Sequence, residues 1–259
     1  MVHYKTPSDI AAMREGGRKL AQILSCIASL VKPLVSAEEL EQIANTEITK
    51  AGAIPAFLNY DTGYMGKFPA ALCISVNDEV VHGIPARDKI FREGDIIGID
   101  CGIWYQNLCV DSAITVPCEK ISDEARRLIS VAKKALSIGI SRCRAGNHIG
   151  DIGEGIQRYV EANGFCVIKT LVGHGVGRAV HEDPQIPNFF PFDKRRPKNR
   201  GAKIKEGMTL AIEPMISASS EKTKKGRDGY AAVTSDGSLS AHFEHTVAVT
   251  GKGTLILTQ

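Results

Sequence analysis

The stretch EGDIIGID, residues 93–100, returns later in the chain as EGMTLAIE, residues 206–213. Each copy starts with Glu-Gly, contains a mainly apolar run and ends in an acid, Asp100 or Glu213. Short apolar runs with β-branched residues, bounded by glycine, are typical of strands. The two copies therefore predict two equivalent strands within one fold.

Further short motifs repeat in the same order around this pair. They are Ser8-Asp9 and Ser122-Asp123, the H-x-x-P motifs at His82 and His181, and the helix ends at Gly52 and Gly164. Several echoes in one order indicate an internal repeat, although chance similarity between amphipathic segments remains an alternative. We therefore expect an α+β fold in which residues 1–259 form one domain. Its halves, about 1–118 and 119–259, would be related by a pseudo-twofold axis and share a curved, mainly antiparallel sheet flanked by helices.

Two capping motifs predict the first helices. Thr6-Pro7-Ser8-Asp9 begins one, and the box from Ser36 to Glu39 begins another that stops at Gly52. The runs DIIGIDCGIWY and LCVDSAITV then predict a β-hairpin. We place its turn at Tyr105-Gln106, and this register puts Asp100 directly opposite Asp111.

Four acids lie inside apolar strand patterns: Asp100, Asp111, Glu213 and Glu244. A buried charge is costly unless it is neutralised, and carboxylates on opposed strands repel each other. The repeat predicts that the second pair of acids faces the first. Two divalent cations would balance four negative charges, which predicts an oxygen-rich dinuclear metal site. A proton shared within a pair, or structural ion pairs with lysine or arginine, are the alternatives.

The segment GHGVGRAVHEDP, residues 173–184, is not a phosphate-binding loop. Arg178 stands where a G-x-G-x-x-G motif needs its third glycine, and Pro184 prevents the helix that should follow. We interpret the glycines as allowing the backbone to approach a ligand closely, and as positioning His174 and His181. One imidazole among carboxylates suits a catalytic divalent ion, whereas a histidine alone is more often structural.

Composition limits the class of protein. The chain has 259 residues, of which 43% are hydrophobic and 24% charged, and its net charge of +3 does not by itself imply nucleic-acid binding. No apolar run is long enough to span a bilayer, and the N-terminal residues do not resemble a signal peptide. Seven cysteines without a C-x-x-C pair favour reduced thiols. We expect a cytoplasmic globular protein without a membrane partner.

Five motifs together carry a family resemblance: NDEVVHGIP, the hairpin with Asp100 and Asp111, GHGVGRAVHEDP, LAIEPM and SAHFEHTVAV. In this order they resemble the type I methionine aminopeptidases of peptidase family M24, which have the pita-bread fold, in their short bacterial form. The resemblance covers essentially the whole chain. It implies a monomeric enzyme that removes N-terminal methionine from nascent polypeptides. It also implies two divalent ions, Co, Mn, Fe or Zn, bridged by a hydroxide that attacks the first peptide bond.

The resemblance also implies a role for each site residue. The metal ligands would be Asp100, Asp111, His174, Glu213 and Glu244. Asp111 and Glu244 would bridge the ions, His174 and Glu213 would complete one coordination sphere, and Asp100 would complete the other. The catalytic residues would be His82, His181 and Glu213, with both histidines also contacting the substrate. Glu213 would carry the proton from the water to the leaving amine.

The predicted specificity pocket departs from the family pattern. Cys73 occupies the expected cysteine position, but Phe68 stands where tyrosine is common and Tyr230 where tryptophan is common. Val180 replaces a usual aromatic residue, and Tyr64 or Met65 would supply another wall. We therefore expect a cavity of altered shape that still accepts methionine. Simple core packing is the alternative for each of these residues.

One segment of the chain is strongly basic. The loop NFFPFDKRRPKNRGAKIKEG, residues 188–207, carries seven basic residues between Lys194 and Lys205. Such a loop is either a solvated excursion or, as a hypothesis, a contact to ribosomal RNA at 194–205.

Two functions are alternatives to the aminopeptidase. They are a proline-directed (X-Pro) peptidase of the same fold and a non-catalytic binding protein on this scaffold.

Overall fold

Capping side chains determine where the helices begin. Thr6 Oγ1 accepts the N–H of Asp9, whose carboxylate accepts the N–H of Thr6, so a capping box starts the first helix as predicted. Ser36 and Glu39 form the second box, and Ser122 caps the third helix. The computed structural model describes residues 2–63, 65–190 and 200–259. The helices in these ranges are α1 (Pro7–Ser29), α2 (Ala37–Lys50), α3 (Asp123–Arg142) and α4 (Ile149–Ala162).

Most of the strands are short. The strands of the first half are β1 (Ile54–Pro55), β2 (Leu72–Val76), β3 (Glu79–Val81), β4 (Ile96–Tyr105) and β5 (Leu108–Pro117). Those that follow α4 are β6 (Cys166–Val167), β7 (Val172–Gly175), β8 (Glu182–Pro187), β9 (Thr209–Ile212), β10 (Met215–Ser217), β11 (Thr223–Lys225), β12 (Ala232–Thr234), β13 (Ser240–His242), β14 (Glu244–Thr250) and β15 (Gly253–Ile256). The predicted echo EGDIIGID and EGMTLAIE thus contributes to β4 and β9.

The long hairpin β4–β5 has a different register from the predicted one. Its turn is Gln106–Asn107 rather than Tyr105–Gln106, and this places Asp111 opposite Gly102 instead of opposite Asp100. Both turn residues have positive φ, 49° and 62°, the type I′ geometry that matches the right-handed twist of paired strands. Moving the turn by one residue slides the pairing by two. Both acids therefore stay on the same face of the sheet.

One large sheet connects the two halves. Over the described residues it has nine strands, ordered β1–β4–β5–β14–β9–β7–β8, with β2 paired to β4 and β15 paired to β14. Strands β5 and β14 are neighbours at its centre, and the echo strands β4 and β9 flank them. Every strand pairing described is antiparallel, including those of two small sheets, β13–β10–β6 and β11–β12–β3.

The hydrophobic interior falls largely into two clusters. Residues of α1, α2 and β4, such as Leu20, Leu40 and Ile99, belong to one, and residues of α3 and α4, such as Leu128 and Ile156, belong to the other. Each cluster covers part of the large sheet. The boundary of the halves near residue 118 stays a prediction. Within the described residues, no helix combines the length and apolar character needed to cross a membrane. All seven cysteines are free thiols.

Candidate metal centre

Three buried side chains meet at the centre of the sheet. Asp111 lies on β5, Glu244 starts β14 where it pairs with Ala113, and His174 lies on β7. One donor atom of each lies within 4.8 Å of the others. As whole residues, Asp111, Glu244 and His174 are only 4%, 2% and 8% exposed. Three ligand atoms this close together could coordinate one metal ion.

Asp100 and Glu213 extend this cluster from the two echo strands. Asp100 lies on β4, and Glu213 directly follows β9. Glu213 Oε1 is 3.4 Å from His174 Nε2, and Asp100 lines the same cavity as the other acids. The five residues predicted as metal ligands therefore come together in space. The repeated acids at 100 and 213 enter the cluster from opposite sides of the β5–β14 pair.

The backbone fixes which nitrogen of His174 faces the acids. Nδ1 lies 2.8 Å from the carbonyl oxygen of Gly175, so Nδ1–H donates to that carbonyl. The lone pair on Nε2 then points toward Glu213. Such a hydrogen bond on the far nitrogen is how metal-binding histidines are usually oriented.

The glycines beside His174 allow close packing of the strands around it. A Cβ atom on Gly173 would lie 2.5 Å from the carbonyl oxygen of Ala211, and one on Gly175 would lie 2.2 Å from that of Asp183. The glycines therefore let the neighbouring strands β9 and β8 approach β7. Their close neighbours are backbone carbonyls, and the interpretation that they also let the backbone approach a ligand stays a prediction.

Burial raises the pKa of every acid in the cluster. For Glu213, Glu244 and Asp100 the pKa lies well above the usual range, because burial disfavours the charge and Asp111 adds repulsion. Burial likewise raises the pKa of Asp111, to about 7. Among the described residues, no lysine or arginine forms a salt bridge with any of these acids. This argues against the alternative in which each acid is paired with a basic side chain.

Several carboxylate oxygens in the cluster lack a hydrogen-bond partner. Asp100 Oδ1, Asp111 Oδ1 and Glu244 Oε1 are enclosed by protein and make no hydrogen bond. Unsatisfied buried carboxylate oxygens are costly, and a cation would satisfy them and lower the raised pKa values. Carboxylate oxygens with one imidazole nitrogen form a donor set that divalent first-row metals accept. The residues present therefore fit a divalent metal centre.

Two further histidines face the same cavity, whose volume is about 330 Å³. The ring of His181 lies 4.3 Å from that of His174, and its Nδ1 is 2.7 Å from the hydroxyl of Tyr60. His82 follows β3 with φ at +63°, a conformation that a non-glycine residue keeps only when its surroundings enforce it. Burial lowers the pKa of His82 to about 4 and also lowers that of His181, so both rings are neutral near pH 7.

Most of the predicted pocket residues line this cavity. Cys73 pairs with Asp100 across β2 and β4, and Phe68 meets Tyr230 edge-on at 5.6 Å between ring centroids. Met65 supplies a further wall. Val180 is 3% exposed and packs in the hydrophobic core, and Tyr64 lies outside the described residues.

Sequence reasoning missed two residues of the site. His242 is buried, and its Nε2 lies 3.6 Å from Glu213 Oε2. The sequence does hold a signal for it, since a polar residue two positions before Glu244 falls on the same face of an extended segment. Tyr60, the partner of His181, lies on an irregular segment where no periodicity marks it.

Part of the basic loop lies outside the described residues, including Lys194, Arg195 and Arg196. Arg200 is described, and its guanidinium bonds Asp151 at 2.6 Å and also pairs with Glu154, both on α4. It also lies 4.9 Å from the ring of Phe190. The charge of Arg200 is therefore already partnered within the protein.

The sequence matches metallopeptidase family M24 over residues 11–251. The chain belongs to this family. The methionine aminopeptidase of Aquifex aeolicus is 45% identical over 253 residues, covering 97% of this chain and 96% of the relative. Methionine aminopeptidase 1 of Bacillus subtilis is 43% identical over 259 residues and matches along the full length of both chains.

Solved structures of the M24 family confirm the predicted fold class. The crystal structure of methionine aminopeptidase from Thermotoga maritima matches with a TM-score of 0.92 and 40% identity over all of both chains. A prolidase from Pyrococcus furiosus matches with a TM-score of 0.76 and 19% identity, covering 99% of this chain and 65% of the prolidase. The prolidase likeness shows the fold alone. The chain thus has the pita-bread fold, with a curved antiparallel sheet flanked by helices.

Proposed function

We propose that the chain is a methionine aminopeptidase, a metallo-exopeptidase that hydrolyses the first peptide bond of polypeptides beginning with methionine. The observation that carries the proposal is the buried cluster of Asp111, His174 and Glu244 at a cavity of about 330 Å³. Support also comes from relatives of that name that match along the full chain.

We propose two divalent ions per chain, of Co, Mn, Fe or Zn. Asp111 and Glu244, on the central strands, would bridge them, His174 and Glu213 would hold one, and Asp100 would hold the other. The charge balance supports two ions, because four carboxylates need about four positive charges. When bound, such ions act as Lewis acids that activate water and polarise the peptide carbonyl.

Glu213 is the proposed proton carrier. Its carboxylate lines the cavity and lies 3.4 Å from His174 Nε2, so it faces the place where the attacking water would be held. Glu213 would accept a proton from the attacking water and deliver it to the nitrogen of the leaving peptide. His242 Nε2, 3.6 Å from Glu213 Oε2, borders this carboxylate on the side away from His174.

The two neutral histidines are the proposed contacts to the scissile amide. When the Tyr60 hydroxyl donates to Nδ1 of His181, Nε2 of that ring carries a proton. This N–H would stabilise the negative charge that develops on the carbonyl oxygen. His82, which lines the same cavity, would contact the amide itself.

The methionine side chain would occupy the part of the cavity formed by Cys73, Phe68 and Tyr230. The edge-on contact of Phe68 with Tyr230 and the bond from the Tyr230 hydroxyl to the carbonyl of Lys67, 3.1 Å, fix this wall. A thioether chain is flexible and adapts to an apolar cavity of irregular shape. Residues with branched or charged side chains would fit less well.

The decisive assay compares substrates across a titration of Mn²⁺ or Co²⁺. We expect release of methionine from Met-Ala-Ser, no hydrolysis of X-Pro dipeptides, and no turnover by Glu213→Ala. Preferred cleavage of X-Pro dipeptides would favour a proline-directed peptidase instead. A folded protein inactive with every divalent ion would favour a non-catalytic binding protein.

We further propose a monomeric, cytoplasmic enzyme that acts on nascent chains. The five ligand residues come from a single chain, so the site needs no partner subunit, and the seven thiols are free. The proposed contact to ribosomal RNA uses the basic loop 194–205, supported by its charge. Reversing the charges of Lys194, Arg195 and Arg196 should weaken salt-dependent co-sedimentation with ribosomes. Unchanged co-sedimentation would contradict this contact.

A further inference from the structure

A buried ion pair connects the start of the chain to the turn that carries His181. Lys5 Nζ lies 2.5 Å from Glu182 Oε2, and the two side chains are 1% and 3% exposed. It is the most deeply buried lysine–carboxylate pair among the described residues. Removing such charges from water costs about as much as their attraction returns, so the pair is a weak source of stability. A positional role explains it better.

The second oxygen of Glu182 holds the backbone of this turn. Oε1 accepts the N–H groups of Arg178 and Ala179, the latter at 3.1 Å. The carboxylate therefore closes the loop immediately before His181. Charge-assisted bonds of this kind are stronger than bonds between neutral groups. The position of His181 thus depends on where Glu182 is held.

Hydrogen bonds and packing hold Lys5 itself in place. Its backbone N–H donates to the carbonyl of Gly207 at 2.7 Å, just before β9, and its ammonium also donates to the carbonyl of His3 at 3.1 Å. A Cβ atom on Gly177 would lie 2.4 Å from Lys5 Cε, so the lysine stem packs directly against the turn. Lys5 therefore connects the base of β9 to the His181 turn.

We propose that Lys5 is a positioning residue for His181 and acts through Glu182. The inference rests on the proposed function, in which His181 contacts the reacting carbonyl. Without the ammonium, the Glu182 charge would be buried and unpaired, and it would move toward water with the turn attached to it. His181 would then lose its position relative to His174, whose ring now lies 4.3 Å away. Four of the metal ligands lie on or directly after β4, β5, β9 and β14, away from this turn, and His174 on β7 is held by the bond from its Nδ1 to the carbonyl of Gly175.

The test compares Lys5→Met with Lys50→Met, which removes a lysine from an exposed pair with Glu47 at 2.8 Å. With Mn²⁺-loaded protein and Met-Ala-Ser, Lys5→Met should lower kcat by about tenfold or more, because small displacements of catalytic groups are costly. KM and the calorimetric affinity for Mn²⁺ should change by less than about twofold. Lys50→Met should match wild type in all three. An unchanged kcat in a folded Lys5→Met protein would overturn the proposal.

A double variant separates positioning from general stability. In Lys5→Met/Glu182→Gln the site is neutral, and the glutamine oxygen still accepts from Arg178 and Ala179. The kcat should recover to within about threefold of wild type, as expected for directly coupled residues. No recovery would overturn the proposal. If Lys5→Met does not fold, Glu182→Gln alone replaces it, because it leaves the ammonium unpaired. An unchanged kcat there contradicts the proposal equally.

Histidine ring signals in ¹H–¹³C NMR test the position of His181 without relying on the proposed activity. The His181 signal is assigned by its loss in His181→Gln. It should shift in Lys5→Met, return in the double variant and stay unchanged in Lys50→Met. If wild type does not cleave Met-Ala-Ser but the signal behaves in this way, the proposed function fails and the positioning stands. A signal that stays in place in Lys5→Met overturns the positioning even if the enzyme is active.

Discussion

Carboxylates without counterions are the main physical problem of this molecule at the scale of single residues. Asp111 and Glu244 are almost fully buried, and each has an oxygen without a hydrogen-bond partner. The nearest basic groups are histidines whose own pKa values are lowered by burial, to about 3 for His174 and for His242. Neutral imidazoles do not compensate the acids, so protons or metal cations must.

The first prediction concerns Glu213. Replacing it with alanine should lower the turnover of Met-Ala-Ser by about 10²-fold or more, since it removes the proton carrier and one ligand. The far-UV circular dichroism should match wild type. Glu206→Ala is the control, because Glu206 belongs to the same segment but is exposed, and its carboxylate accepts the N–H of Gly251 at 3.0 Å. Turnover by Glu213→Ala at the wild-type rate would remove Glu213 from the mechanism.

The second prediction concerns pH and metal. Asp111 has a pKa of about 7 in the folded protein against 3.8 for an ordinary aspartate, so between these values the folded state binds more protons than the unfolded state. The stability from this raised pKa is present at low pH and lost as pH rises toward 7. Metal must bind deprotonated ligands. The increase in Tm on adding Mn²⁺ to metal-free protein should therefore be larger at pH 7.5 than at pH 5.5. Equal increases at both pH values would contradict the role of these acids.

Sequence patterns predicted the chemistry of the site better than its details. An acid inside an apolar strand can be recognised in the sequence because it interrupts the run of hydrophobic residues. This signal identified Asp100, Asp111, Glu213 and Glu244. Tyr60 could not be predicted in this way, because its segment has no periodicity and its contact to His181 spans 121 positions. Long-range contacts of irregular segments depend on how the whole chain packs.

Close packing of strands positions the histidines at the scale of elements. Strand β7 lies between β8 and β9, and the glycines on either side of His174 allow both neighbours to approach. The third prediction is that Gly175→Ala separates β7 from β8, because its Cβ would lie 2.2 Å from the carbonyl oxygen of Asp183. Turnover should fall by about tenfold or more.

Gly98→Ala is the matched control for this variant. Gly98 lies in β4, and a Cβ atom there would meet its nearest neighbours at 3.5 Å, an ordinary contact distance. Its turnover should stay within about twofold of wild type, as for a substitution without strain. Equal activity of both variants would show that the close approach at Gly175 is not needed.

The elements themselves were largely predictable, whereas one register was not. Capping boxes at Thr6 and Ser36 gave the starts of α1 and α2. The β4–β5 turn was misplaced by one residue, because Gln106–Asn107 lacks the glycine that usually marks a type I′ turn. The prediction that both acids lie on the same face of the sheet still held, because a slide of two positions keeps each side chain on its face.

At the scale of the whole molecule, the ligands come from strands of both halves of one chain. The central pair β5–β14 joins the halves, and each half contributes one echo strand. The fourth prediction follows, that activity per chain does not depend on protein concentration. The specific activity should stay constant on dilution from about 10 µM to about 10 nM, a range over which weak dimers dissociate. A loss on dilution, reversed by concentrating, would indicate that the site needs a second subunit.

The most direct test is anomalous X-ray scattering from a crystal grown with Mn²⁺, recorded at the manganese edge. We expect two peaks within the cluster formed by Asp100, Asp111, His174, Glu213 and Glu244. Peaks only elsewhere on the protein, or none at saturating Mn²⁺, would contradict a metal centre in this cluster.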